Sequence, residues 1–291
     1  MRSRVKTTGT GAAGEQREEV PMPSRARRSR GTRAACALLV SLVLTATWSC
    51  GGGDGNGDDG GPVAGELLFD GSAGELVPHD TGRSAVYRVS ATFEGETQVS
   101  SFTSTITENG DDGSFQTRFE SATGALARSV SRDTGDEVRV ERFVNDPGGP
   151  DERDAVLEPP VVVVRTPVIA GDAIETSFAR PLDLTITVDG VAERRQVLFV
   201  GSARRVPEAN DTVTVPAGTF AAVRYTVSAH GEATIPILGQ GLRFTADVAG
   251  HEWFAPGAGG VKEDLEVTLR AADARTSVRF VTERVAPEVT P

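Results

Sequence analysis

The chain has 291 residues, of which 24% are charged and 38% hydrophobic, and its formal net charge is −11; that length allows one large or two small domains behind any leader. The charge is uneven: residues 1–49 are basic, and residues 50–291 carry about −17. A body this acidic is repelled by nucleic-acid phosphates and by anionic headgroups, so no nucleic-acid partner is expected, while cation binding stays open.

Arg25, Arg27, Arg28, Arg30 and Arg33 form a basic run, followed by the apolar stretch Ala34 to Thr47. As a helix that stretch spans roughly 21 Å, short of the roughly 30 Å of a bilayer core. A basic run before a short apolar run is a secretory signal, so residues 1–49 are read as a signal peptide. The pair Arg27-Arg28 lacks the apolar residues that follow a twin-arginine pair. The length preceding Arg25 points to a translation start near Met22. The leader ends Thr47-Trp48-Ser49-Cys50, which resembles the lipobox of bacterial lipoproteins, with Thr47 where leucine is usual and an atypical Trp48. The resemblance implies that Cys50 receives a diacylglyceryl group and ties the chain to a membrane. At about 0.8 kcal/mol per buried CH₂, several acyl chains make a durable anchor. Gly51 rather than Asp follows the cysteine, which by the enteric convention implies the outer membrane, on its periplasmic face or at the cell surface. Residues 50–65 are rich in glycine and aspartate and read as a tether with a mean span of roughly 20 Å. The two cysteines, Cys36 and Cys50, leave no pair in the processed chain, so no disulfide supports the fold.

Residues 66–286 read as a single β-rich domain, with 287–291 as a tail. Ser84 to Phe93 is β-branched and aromatic; Gln98 to Thr107 and Ser114 to Ser121 flank the turn-forming Asn109-Gly110-Asp111-Asp112-Gly113. Phe102, Ser104 and Ile106, and then Phe115, Thr117 and Phe119, alternate with polar residues, the mark of a half-buried strand. Arg128 to Arg132 and Glu137 to Phe143 flank Thr134-Gly135-Asp136. Residues 145–160 contain Pro147, Pro150, Pro159 and Pro160 and read as a loop and a sub-boundary, ahead of an inner strand at Val161–Val164. Leu182 to Val188 leads into Asp189-Gly190, suited to a hairpin turn, with a partner strand from Arg194 to Val200. No helical period of useful length is found. The expectation is an all-β antiparallel fold, a strongly curved sheet or incomplete barrel, with a β-sandwich as the alternative.

Two later segments carry turn chemistry. In Val215-Pro216-Ala217-Gly218 the proline pre-sets φ and the glycine allows a bulge; in Ala255-Pro256-Gly257-Ala258 proline then glycine suits a type II turn. Trp253 and Phe254 should face opposite sides of their strand. Together Asp211 to Phe220 and Glu252 to Glu263 resemble a family of bacterial periplasmic and lipoprotein domains, domain of unknown function 3108. That resemblance covers about residues 165–285 and implies a curved-sheet fold akin to lipoprotein carriers; it implies no activity.

No catalytic, metal or cofactor site stands out. His79, His230 and His251 form no paired spacing, there is no Gly-x-Ser-x-Gly elbow, and no phosphate-binding loop. Asp54, Asn56 and Asp58 begin like a calcium loop but lack its glycine and its closing glutamate. An enzyme is not expected. The apolar run Ile235, Ile237, Leu238 and Leu242 reads as loop-like, either a lip for a ligand or a cover for the core. The expected function is a lipid-anchored, non-enzymatic module binding an apolar or lipid-like ligand; the alternative is an assembly lipoprotein contacting other envelope proteins.

Overall fold

The alternation of apolar and polar residues sets the architecture. The computed structural model describes residues 64–149, 152–188, 191–237, 240–271 and 274–285; Cys50, the leader, Asp189-Gly190 and Leu238 lie outside the described residues. In chain order the elements are β1 (Leu67–Phe69), a helical turn α1 (Ala73–Leu76), β2 (Ser84–Phe93), β3 (Glu96–Asn109), β4 (Ser114–Ser121), β5 (Gly124–Asp133), β6 (Glu137–Asn145), β7 (Arg153–Arg165), β8 (Val168–Ile169), β9 (Ile174–Val188), β10 (Val191–Val215), β11 (Gly218–Ile237), β12 (Gln240–Ala255), β13 (Gly259–Ala271) and β14 (Ala274–Arg284).

Twelve strands make one antiparallel sheet in the order β7-β6-β5-β4-β3-β2-β14-β13-β12-β11-β10-β9, and β1 pairs with β8 apart from it. Neighbours are consecutive hairpins except β14 and β2, whose pairing from Val278–Phe93 to Arg284–Tyr87 joins the two halves. The sheet curls until β7 and β9 approach each other, with no ladder between them. The fold is therefore an incomplete barrel, and the sandwich does not form.

Curvature has a local cause. Gly201 on β10 and Gly231 on β11 are register partners. A Cβ on Gly201 would lie 2.2 Å from the His230 carbonyl oxygen, and one on Gly231 would lie 2.3 Å from the Phe199 ring. The missing side chains let the strands bend inward, and the rings of Phe178 and Phe199, 5.7 Å apart, cover the gap. Across the middle of the barrel Val89, Val227, Val248, Leu265, Val267, Val278 and Phe280 fill the interior. On the outer face lie ion pairs such as Arg88–Glu283 at 2.6 Å and Arg279–Asp264 at 2.6 Å.

Two sequence readings change here. Residues 153–160 are strand: Arg142 pairs with Val156 and Val140 with Val161, so 157–160 form a bulge within β7. Pro159 and Pro160 have no N–H to donate, and a bulge on an edge strand is where that costs least. The second change is α1, one turn and too short to show a period. Its Ala73 and Leu76 are fully buried. Ala73 N donates to the Gly135 carbonyl at 2.9 Å, and Gly257 N donates to the Glu75 carbonyl at 2.7 Å. The turn thus lies across the end of the barrel that holds the β5–β6 and β12–β13 turns, here called the capped end. Leu76→Ala should lower stability by about 2–3 kcal/mol, read as a drop in the urea midpoint at unchanged slope.

Candidate ligand-binding cavity

Near the capped end the interior turns from apolar to polar. Across β14, β13, β12 and β11 one register row reads Thr282, Glu263, Glu252, Tyr225. Glu252 and Glu263 are thus directly opposed, an arrangement that is destabilising if both are charged. Glu252 is 1% exposed and Arg205 on β10 is 3% exposed. Arg205 Nε donates to Glu252 Oε2 at 2.8 Å and Nη2 to Oε1 at 3.3 Å. Its Nη1 donates to the Val162 carbonyl at 3.3 Å and lies 3.5 Å from that of Val163. Those carbonyls belong to β7, an edge strand, so one guanidinium joins the buried carboxylate to the unpaired seam of the barrel.

The protonation pattern follows from burial. The Glu263 carboxyl is pushed up to about 8, first by burial and then by the Glu252 charge, against a hydrogen bond from Thr282. Burial also raises Glu252, with Arg205 opposing it, and burial raises the Tyr225 phenol well above its ordinary value. At neutral pH Glu263 is a neutral carboxylic acid, able to donate as well as accept. Only Glu252 then balances Arg205.

Beside this row lies a cavity of about 140 Å³. Phe102, Phe115, Phe119 and Phe254 supply apolar walls; Arg205, Glu263, Thr282 and Arg284 supply polar ones. Arg284 is 2% exposed, and its Nη1 donates to the Ala258 carbonyl at 2.6 Å. Thr117 also lines the space and is 2% exposed, yet its hydroxyl has no hydrogen-bond partner. Its register partner Ser129 and the nearby Ser131 share that condition on β5. Each such hydroxyl costs about 1–3 kcal/mol while nothing answers it.

The turn residues shape this end. Val215 pairs with Gly218 across Pro216-Ala217, Gly218 has φ 139°, and Ala217 N donates to the Arg284 carbonyl at 3.0 Å. Ala258 N closes a turn on the Ala255 carbonyl at 3.0 Å, with Gly257 at φ 72° following Pro256. Trp253 faces outward, its indole donating to Asp211 at 3.0 Å with the Lys262 ammonium 5.2 Å from its ring, while Phe254 faces the cavity.

The run Ile235 to Leu242 is not a loop at the cavity. Ile235 pairs with Leu242, and Ile237 with Gln240, at the far end of the β11–β12 hairpin. Ile235 and Leu242 pack with Val197 and Phe244 in a small separate cluster. The apolar alternation 233-235-237 belongs to a strand, and the glycines at 239 and 241 gave it a loop-like composition. The histidines sit apart: His79 stacks on Phe115 at 4.5 Å, His230 meets Asp247 at 2.7 Å, and His251 lies 3.8 Å from Glu208. Among the described residues no group of three metal-ligating side chains converges.

The glutamates and the arginine of the cavity were missed in the sequence. Their signal is phase: Glu252 stands two residues from Gly250 and four from Val248 on the inward side, and Arg205 two from Ala203. A charge in the apolar phase of a strand marks such a site, but only once the inward phase is known.

No family model matches the chain, and no curated protein matches it. Two solved structures are similar to it. One is described as a "putative lipoprotein" from Parabacteroides distasonis, with 13% identity, covering 76% of this chain and 99% of that one at a TM-score of 0.37. The other is described as a "putative exported protein with YmcC-like fold" from Bacteroides fragilis, with 12% identity, covering 78% of this chain and 100% of that one at a TM-score of 0.32.

Proposed function

We propose that this chain is a lipid-anchored bacterial envelope protein whose barrel is a non-enzymatic binding module for a small ligand with apolar character, of the kind of domain its two turn motifs resemble. The observation that carries the reading is the cavity of about 140 Å³, mostly apolar with a polar share, beside the apolar cluster at the middle of the barrel. An engineered apolar cavity of about 150 Å³ accommodates benzene, so the ligand here is compact. The outer face argues for a barrel in water. Its ion pairs, Arg88–Glu283, Arg279–Asp264 and Arg270–Asp247, stand where a membrane-spanning barrel presents hydrocarbon side chains.

The anchor gives the cavity a place. Ala64 lies beside Gly171, 3.7 Å from the position of a Cβ there, and Gly171 N donates to the Pro207 carbonyl at 2.9 Å, both at the capped end. A tether of roughly 20 Å from an acylated Cys50 would hold that end, and the cavity, nearer the membrane than the opposite rim. Cys50→Ser should abolish acyl labelling and the lipid mass increment, and the mature lipidated species should disappear from the envelope fraction; an unchanged mass at residue 50 in the wild type would remove the anchor. For the binding module, native mass spectrometry of the mature protein released from detergent should show a bound small molecule or retention of an added aromatic solute. A protein that takes up none would leave the assembly role, contact with other envelope proteins, as the better account.

A further inference from the structure

We infer that the ligand of this cavity is uncharged and carries an amide edge, a lactam or primary amide on a flat apolar body, which the Glu263 carboxylic acid recognises through two parallel hydrogen bonds. This rests on the cavity being a binding site and adds the chemistry by which its ligand is selected.

The polar row sets what Glu263 can offer. Glu263 on β13 is the register partner of Glu252 on β12 and, on its other side, of Thr282 on β14. It stands two residues from Leu265, which fills the interior, so its side chain is in the inward phase and lines the cavity together with Thr282. Opposed residues on neighbouring strands have Cβ atoms roughly 5 Å apart. Glu252 already holds Arg205 at both carboxylate oxygens, at 2.8 Å and 3.3 Å. A second negative charge opposite it would have to share that one guanidinium, so the pair keeps a proton and Glu263 carries it. Burial and the Glu252 charge accordingly push the Glu263 carboxyl up to about 8.

A protonated carboxyl places a donor O–H and an acceptor C=O side by side. A lactam or primary amide presents the reverse on one edge, an acceptor C=O beside a donor N–H, so two hydrogen bonds close at once. An ammonium supplies no acceptor and a carboxylate no donor, and a hydrogen-bonding group left unanswered in a buried site is costly. The remaining wall suits a flat body. Phe102 stacks on Tyr87 at 5.1 Å and meets Phe119 edge-on at 6.1 Å, and Phe254 meets Tyr225 edge-on at 5.7 Å. Ring faces and edges are thus within reach of a planar heterocycle.

The charged and titratable groups around Glu263 are Glu252 on β12, Arg205 on β10, Tyr225 on β11, Arg284 on β14 and Arg83 ahead of β2. Arg284 donates to the Ala258 carbonyl and Arg83 to the Gly257 carbonyl, while Lys262, next in the chain, lies over the outward Trp253 ring.

The test uses the mature lipidated protein in non-ionic detergent, with calorimetry at about pH 6. The probes are 2-pyridone, N-methyl-2-pyridone, benzoate, benzylamine and toluene. The lactam 2-pyridone should bind at least tenfold more tightly than its N-methyl analogue, which lacks the donor, and than the other three. At about pH 9.5, above the value of about 8 for Glu263, its affinity should fall by at least tenfold, because only a small fraction of the protein keeps the acid. Glu263→Gln offers a donor and an acceptor without the titration, so it should bind 2-pyridone equally at both pH values. Glu263→Leu should bind the two pyridones alike. Equal binding of the two pyridones by wild type, tighter binding of benzoate or benzylamine, or a 2-pyridone affinity unchanged by pH would overturn the amide assignment while leaving a binding cavity in place. Binding of none of the five would overturn both.

Discussion

Replacing Arg205 by methionine should destabilise the protein by about 3–5 kcal/mol, the cost of leaving a buried charge without its partner. Glu252 is 1% exposed, and its carboxylate is answered at both oxygens by this one guanidinium. Methionine matches much of the arginine stem but returns none of the charge. The loss has a second part, because the same side chain reaches carbonyls of β7 across the seam where the barrel fails to close. Amide hydrogen exchange should therefore rise along β7 and β9 more than along β13 and β14. The deficit should shrink as the pH is lowered, since Glu252 can then take up a proton and become neutral. Adding Glu252→Leu should restore most of the stability, because a well-packed apolar pair is often as stable as a buried ion pair. A single variant as stable as wild type, or a double variant no better than the single one, would show that the pair does not hold the seam.

The wild-type protein should lose stability as the pH rises from about 4.5 to about 8, and Glu263→Gln should remove most of that loss. The sign follows from the direction of the shift. The ordinary value is 4.5 and burial raises the folded carboxyl to about 8, so between the two the folded state keeps a proton that the unfolded state has released. Stability is fully present below 4.5 and falls through the window, by at most about 1.4 kcal/mol per pH unit. Because the side chain is only half-buried and borders the cavity, a total on the order of 3 kcal/mol is expected. Glutamine keeps the shape and the hydrogen-bonding groups without the titration; the residual slope belongs to Glu252, also raised. Acid works the other way. Asp112 is lowered to about 2 by Ser114 and Arg132, and Asp264 is lowered by Arg279, so their contributions are lost as the pH falls below the ordinary aspartate range. Wild type should be most stable near pH 4.5, and Glu263→Gln should broaden the optimum towards neutrality. Urea midpoints at unit pH intervals measure both; a wild-type profile flat from 4.5 to 8 would show that Glu263 is ionised in the fold.

Much of the sheet was legible because strand alternation is a local property. Phe115, Thr117 and Phe119 announced β4, the glycine-rich 109–113 announced its turn, and the proline-glycine pairs at 216–218 and 256–257 marked two chain reversals. Legibility failed where a local rule met a tertiary exception. Pro159 and Pro160 read as loop because proline cannot join a ladder, yet an edge strand with a bulge accommodates them. Gly239 and Gly241 read as loop because glycine is flexible, yet Ile235 and Leu242 are paired strand residues.

The sequence by itself determined the all-β character, since strand alternation depends on neighbours within about ten residues. Only the tertiary structure decided which phase of each strand faces inward, and hence that Arg205, Glu252, Glu263 and Thr117, from four strands up to 146 positions apart, line one interior region. Side-chain direction in a strand has a period of two, so either face is equally consistent with a weak alternation. The choice is made by closure of the sheet, where β14 meets β2 and one face of every strand loses its water together.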